Sequence, residues 1–142
     1  MNITILTFTL LIAFVIKHFL ADFPLQTPYM LGKFKQGWGF VPPLLAHVGV
    51  HAAFTFAISL WFGIWQALCL ATFDATVHFV MDRIKASKKY LGRFKPLTEE
   101  TYFGATPEQL KSNRWFWYSI GIDQGVHTLT DMFVVWCLVR GL

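Results

Sequence analysis

The chain has 142 residues, 55% hydrophobic and 18% aromatic, with only 14% charged and a mean hydropathy of +0.48. That is too apolar for a soluble domain of this length and places the chain in the membrane class as a single domain. Its 12 basic and 8 acidic residues give a net charge of +4, but the basic excess is local to two loops and does not suggest nucleic-acid binding.

A helix that crosses a bilayer needs ~20 mostly apolar residues. The first such segment covers about residues 3–23 and is stopped by Pro24. It reads as a retained span, because residues 1–4 carry no basic side chain and no small-x-small cleavage pattern follows. The second covers about 43–63, opening on Pro42-Pro43, which suit a first helical turn. A tight turn near Gly63 leads to the third, about 65–84, and the fourth covers about 115–138. The cysteines Cys69 and Cys137 fall in apolar segments with neither disulfide nor metal spacing, and read as small buried apolar residues.

Four spans place both termini on one side and two longer loops, about 25–41 and 85–114, on the other. Those loops and their borders hold ten basic residues, from Lys33 to Arg114, leaving only Lys17 and Arg140 elsewhere. The positive-inside rule makes the loop side cytoplasmic and the termini periplasmic. Trp61, Trp65 and Trp136 then fall at the outer interface, with Trp38, Trp115 and Trp117 at the inner one. Within the second loop, Thr106-Pro107-Glu108 has the chemistry of a helix start and predicts a short interfacial helix. The expected fold is all-α: a polytopic four-transmembrane-helix bundle with both termini on the outer side.

All five histidines lie in these spans, each with a histidine or aspartate four residues away. The pairs are His18 with Asp22 and His47 with His51. The third span carries Asp74, His78 and Asp82, and the fourth Asp123, His127 and Asp131. Spacing of four stacks two side chains on one helix face, as in helical motifs whose two histidines chelate one ion. Antiparallel helices bring the pairs to one level near the cytoplasmic leaflet, with Asp74 and Asp131 ~12 Å deeper by the helical rise. The two triads also resemble one another, as duplication or convergence on one ligand geometry would produce.

An ionisable group at the centre of a span costs ~2.5–3.5 kcal/mol on insertion scales, so it faces the bundle interior and has a role there. A divalent cation, or two, would satisfy these groups together; the bland alternative is a histidine–aspartate network that only glues helices. The expected ligands are His18, Asp22, His47, His51, His78, Asp82, Asp123 and His127. Imidazole and carboxylate without thiolate suit zinc, manganese or iron. Asp74, Asp131 and Gln124 are expected to orient the ligands from behind. Lys85, one turn past Asp82, is expected to act on an anionic substrate group, with Lys33, Arg83 and Gln26 as further substrate contacts. Lys17 faces away from His18 and reads as interfacial.

The run His18-Phe-Leu-Ala-Asp22-Phe-Pro-Leu-Gln26, with Lys33, His47, His51, His78-x3-Asp82-x2-Lys85 and Asp123-Gln124-x2-His127, resembles the bacterial and phage membrane proteins grouped as domain of unknown function 3307. The resemblance covers nearly the whole chain. It implies a small integral membrane protein, in a bacterium one of the inner membrane, and brings no activity with it. A looser likeness connects the pattern to membrane-bound metal-dependent hydrolases.

The expected function is therefore a membrane-embedded metal-dependent hydrolase near the cytoplasmic leaflet. Its partner is membrane lipid and its substrate amphipathic and anionic, a phospholipid or lipid-linked phosphate. Asp82 or Asp123 is the expected general base. No serine or cysteine stands where a nucleophile would be expected. The alternatives are a metal-ion or proton transporter, for which four helices would require a homo-oligomer, an iron oxidase or hydroxylase, and a non-catalytic protein whose metal stabilises the bundle.

Overall fold

The computed structural model describes residues 2–35, 37–87, 90–91, 106, 108 and 114–141, with side chains of the last segment from residue 117 onward. Among them the chain is all-helical: α1 (Ile3–Asp22), α2 (Val41–Ser59), α3 (Ile64–Ala86) and α4 (Arg114–Arg140). Three of these, α1, α2 with its 3-10 extension, and α3, are long and apolar enough to cross a membrane. α4 is the longest, at 27 residues, but Asp123, Gln124, His127 and Asp131 interrupt its apolar sequence. The helix expected from Thr106 lies outside the described residues, save Thr106 and Glu108 themselves.

The local sequence accounts for the helix ends. The Asn2 side chain caps α1 by accepting from the Thr4 amide at 2.9 Å, satisfying a donor that the first turn leaves free. α1 stops just before Phe23-Pro24, where the residue preceding a proline is pushed away from helical geometry. Prolines occupy the first turn of α2, where a missing N–H costs nothing. A 3-10 turn, Leu60–Phe62, carries α2 into Gly63, whose φ of 136° is open only to glycine at little cost. The reversal into α3 follows at once.

α1 packs on α2 and α4, and α3 packs on the same two, giving a four-helix bundle. Its apolar core is off-centre. Leu10, Phe14, Leu70, Val134 and Leu138 fill the half nearest the α2–α3 turn. The opposite half is polar inside: Lys17, His47, His51, Asp74, His78 and Asp123 are all buried. Outside, α1 exposes Ile3, Phe8, Ile12, Val15 and Phe19, each more than half accessible. A bundle with charge inside and large aliphatics outside matches a hydrocarbon solvent rather than water.

A further 3-10 turn, Met30–Phe34, folds the α1–α2 connection under the polar end. Phe34 packs with Ala86 and Leu31, and Gly32 lies so close to Pro43 that a Cβ there would meet the proline Cγ at 2.9 Å. This contact places Lys33 at the polar core.

Candidate metal centre

The five histidines form one cluster. His78 and His127 stack with centroids 3.9 Å apart, His51 lies 4.0 Å from His78, and His47 lies 4.8 Å from His51. His18 touches His51, His78 and His127 at 5.4–5.9 Å. α1 contributes the end of its stripe, α2 two successive turns, and α3 and α4 one ring each.

Every one of these rings contacts an aspartate, four of them through one nitrogen alone. His18 Nε2 lies 3.0 Å from Asp22, His51 Nε2 3.1 Å from Asp22, and His47 Nε2 3.3 Å from Asp82. His78 Nδ1 lies 3.0 Å from Asp74, and His127 Nε2 3.3 Å from Asp123. The other nitrogen of His47, His51, His78 and His127 has no hydrogen-bond partner among the described residues, whereas His18 Nδ1 faces Asp131 at 3.4 Å. A carboxylate on one imidazole nitrogen fixes the ring and leaves the second nitrogen's lone pair for a ligand. Three groups each bring their donor atoms within 4.8 Å of one another: His18, His51 and His78; Asp22, His47 and His51, which shares His51 with the first; and Asp82, Asp123 and His127. These residues fit a divalent ion by spacing and by donor chemistry.

Lysines complete the network. Lys85 Nζ donates to Asp123 at 2.7 Å and lies 3.1 Å from Asp82, while Lys33 Nζ reaches Asp82 at 3.2 Å. Burial lowers the pKa of Lys33 below the ordinary lysine value, against the pull of Asp82. Lys17 is not interfacial. It is buried and bridges Asp74 at 3.0 Å and Asp131 at 2.8 Å. Although Lys17 is about 100° around the helix from His18, it lies on the buried stripe of Leu10, Phe14 and Ala21. That stripe was the signal available in the sequence.

The residues expected behind the ligands are in contact with them. Asp74 accepts from Thr55 Oγ1 at 2.6 Å while facing His78, and Asp131 Oδ2 lies 3.4 Å from His18 Nδ1. Gln124 Nε2 donates to Asp22 and Asp123, both at 3.3 Å, and its Oε1 lies 3.2 Å from His18 Nε2. A pocket of about 260 Å³ opens beside them on the loop side, lined by Gln26, Lys33, Lys85, Asp22, Asp123 and Gln124 among others. Arg83 does not line it. Its guanidinium instead lies 3.8 Å from the Phe40 ring centroid, and its Nη1 is 3.4 Å from the Lys35 carbonyl. Arg83 is two residues before Lys85, and so on the other side of α3.

Fold and site define a membrane-type helical bundle with a polar core of histidine, aspartate and lysine. The chain belongs to the family described as protein of unknown function (DUF3307), which it matches over residues 10–140. No curated protein and no solved structure matches it.

Proposed function

We propose that this protein is a metal-dependent hydrolase embedded by four transmembrane helices in the bacterial inner membrane, with both termini periplasmic and its site at the cytoplasmic leaflet. The observation that carries the reading is that four of the five histidines, His47, His51, His78 and His127, spend one nitrogen on an aspartate and leave the other unpartnered among the described residues. Charge supports it. Asp22, Asp74, Asp82, Asp123 and Asp131 carry five negative charges, to which Lys17, Lys33 and Lys85 return three. Even with His18 charged between Asp22 and Asp131 the cluster stays net negative, which favours a bound cation.

A bound zinc, manganese or iron ion would supply Lewis acidity and make a water acidic. The protein's own groups divide the remaining work. Asp123 lines the pocket and is the better placed general base. Asp82, held by Lys33, Lys85 and His47, is the better placed ligand. Lys33, Lys85 and Gln26 face the pocket where an anionic group enters, which suits a phospholipid or lipid-linked phosphate. Transport is the second reading, favoured by the Lys17 triad extending the polar track beyond the histidines. The apolar cluster of Leu10, Phe14, Leu70 and Val134 lies across that track.

The test is elemental analysis of detergent-purified protein beside a His47→Ala, His78→Ala double variant, then assay on phospholipids with the metal found. Stoichiometric metal and turnover, both lost in the variant, are expected. A folded metal-free protein, or turnover that survives the variant, ends the hydrolase reading.

A further inference from the structure

A second pocket, about 250 Å³, lies between α1 and α4 on the outer, lipid-facing wall. Leu11, Phe14, Val15 and Phe19 form one side and Thr128 and Met132 the other. Its floor is unlike that of a groove that merely receives bilayer lipid, because His18 and Asp131 of the polar core open into it. The groove also adjoins the loop-side pocket, since Phe23 lines both and His18 contacts Asp22 and Gln124 of that pocket.

Direction adds a further constraint. From Phe23 the groove follows α1 to Leu11, roughly 18 Å along the helix, away from the loops and toward the middle of the span. A lipid in the loop-side leaflet has this polarity, with its phosphate by the loops and its chain toward the bilayer centre.

We infer that the α1–α4 groove seats the acyl chain of a lipid whose anionic phosphate headgroup occupies the pocket of Lys33, Lys85 and Gln26. The assignment rests on the hydrolase reading for calling that lipid a substrate. Entry is then lateral, from the bilayer, and the chain passes His18 on its way to the site.

The molecule contains its own control. A larger groove, about 430 Å³, lies between α2 and α3, lined by Leu45, Val48, Leu68, Ala75 and Phe79 among others. Its hydroxyls on Thr72 and Thr76 donate to their own helix, and its lining shares no residue with the loop-side pocket. Bulk lipid would fill it at least as readily.

The experiment uses the full chain in vesicles containing phosphatidylglycerol with a photoreactive group in its acyl chain, followed by peptide mapping. Labelling of residues 11–23 and 128–132 in several-fold excess over 45–52 and 68–80 is expected. Thr128→Trp and, separately, Val15→Trp on the exposed groove wall should remove the excess while α2–α3 labelling stays, which also reports an intact bundle. Equal labelling of the two grooves, or an excess that both variants leave intact, overturns the inference. A diacylglycerol probe without phosphate should show no excess; if it does, the headgroup half of the assignment is wrong. The readout needs neither metal nor turnover, so selective labelling of a metal-free, inactive protein would overturn the hydrolase reading and leave the lipid site standing.

Discussion

His78 of α3 and His127 of α4 lie face to face, centroids 3.9 Å apart and 13° from parallel. Both stand at the centre of an Asp-x3-His-x3-Asp run, which reads the same in either direction. In the antiparallel pair of helices Asp82 therefore meets Asp123 and Asp74 meets Asp131, and one lysine bridges each aspartate pair: Lys85 the first and Lys17 the second. The similarity of the two runs is thus a physical complementarity, whatever its origin.

His127→Phe keeps a flat aromatic ring, somewhat larger than imidazole, and removes both nitrogens. Overpacking costs about 1–3 kcal/mol while Lys85 and Gln124 still hold Asp123, so the melting temperature should fall modestly while metal content is lost. Elemental analysis beside a thermal melt in detergent checks this. Unfolding of the variant would mean that the nitrogen contact to Asp123, rather than a metal, is what the bundle needs.

Lys17→Met leaves Asp74 and Asp131 buried without their shared cation. Breaking a buried pair from one side costs about 3–5 kcal/mol, so the variant should be strongly destabilised. Adding Asp74→Asn and Asp131→Asn removes the stranded charges and should recover much of the loss. Denaturation of the single and triple variants in mixed micelles measures both, and a harmless Lys17→Met would show that the triad does not hold the bundle.

Gln124→Leu takes one donor from Asp22 and one from Asp123. Loss of such orienting groups typically lowers metal affinity 10–100-fold, and calorimetric titration with the metal found should give that range. Unchanged affinity would place the ion away from Asp22 and Asp123.

Gly32→Ala drives a methyl group into the Pro43 ring, whose Cγ would lie 2.9 Å away. Overpacking of this kind costs about 1–3 kcal/mol, and the Met30–Phe34 turn should lift, drawing Lys33 from Asp82. Faster proteolysis within residues 26–40 is the readout.

Lys33 also sets a pH dependence. Its folded pKa lies below the ordinary 10.5 because burial disfavours the ammonium. Between the two values the unfolded chain binds more protons, so this group makes stability rise with pH through that window. Lys33→Met should flatten the rise in melts taken across alkaline pH, and an identical slope in the variant would assign the effect elsewhere.

The histidine and aspartate positions were legible because four-residue spacing within one helix is written in one stretch of sequence. The lysine bridges were not, because Lys17, Lys33 and Lys85 find aspartates on other helices, and only the assembled bundle brings those together. Lys17 is interior although it faces away from His18, because Leu10, Phe14 and Ala21 mark a second buried direction on α1. Arg83, expected at the substrate, lies two residues before Lys85 and so on nearly the opposite face of α3, against Phe40 and the Lys35 carbonyl. The α1–α4 groove had no sequence signature, since it is the gap between two otherwise ordinary apolar surfaces.

Lys17 precedes Asp74 by 57 residues and Asp131 by 114. During synthesis α1 therefore carries a lysine five residues short of its loop-side end, with neither aspartate partner yet made. Asp74 of α3 matches that charge one for one, and Asp131 arrives only with α4 as a second carboxylate on the same lysine. A chain that breaks off before α4 leaves Lys17 and Lys85 one aspartate partner short each and bares the faces of α1 and α3 that pack on α4. The last helix thereby completes the first.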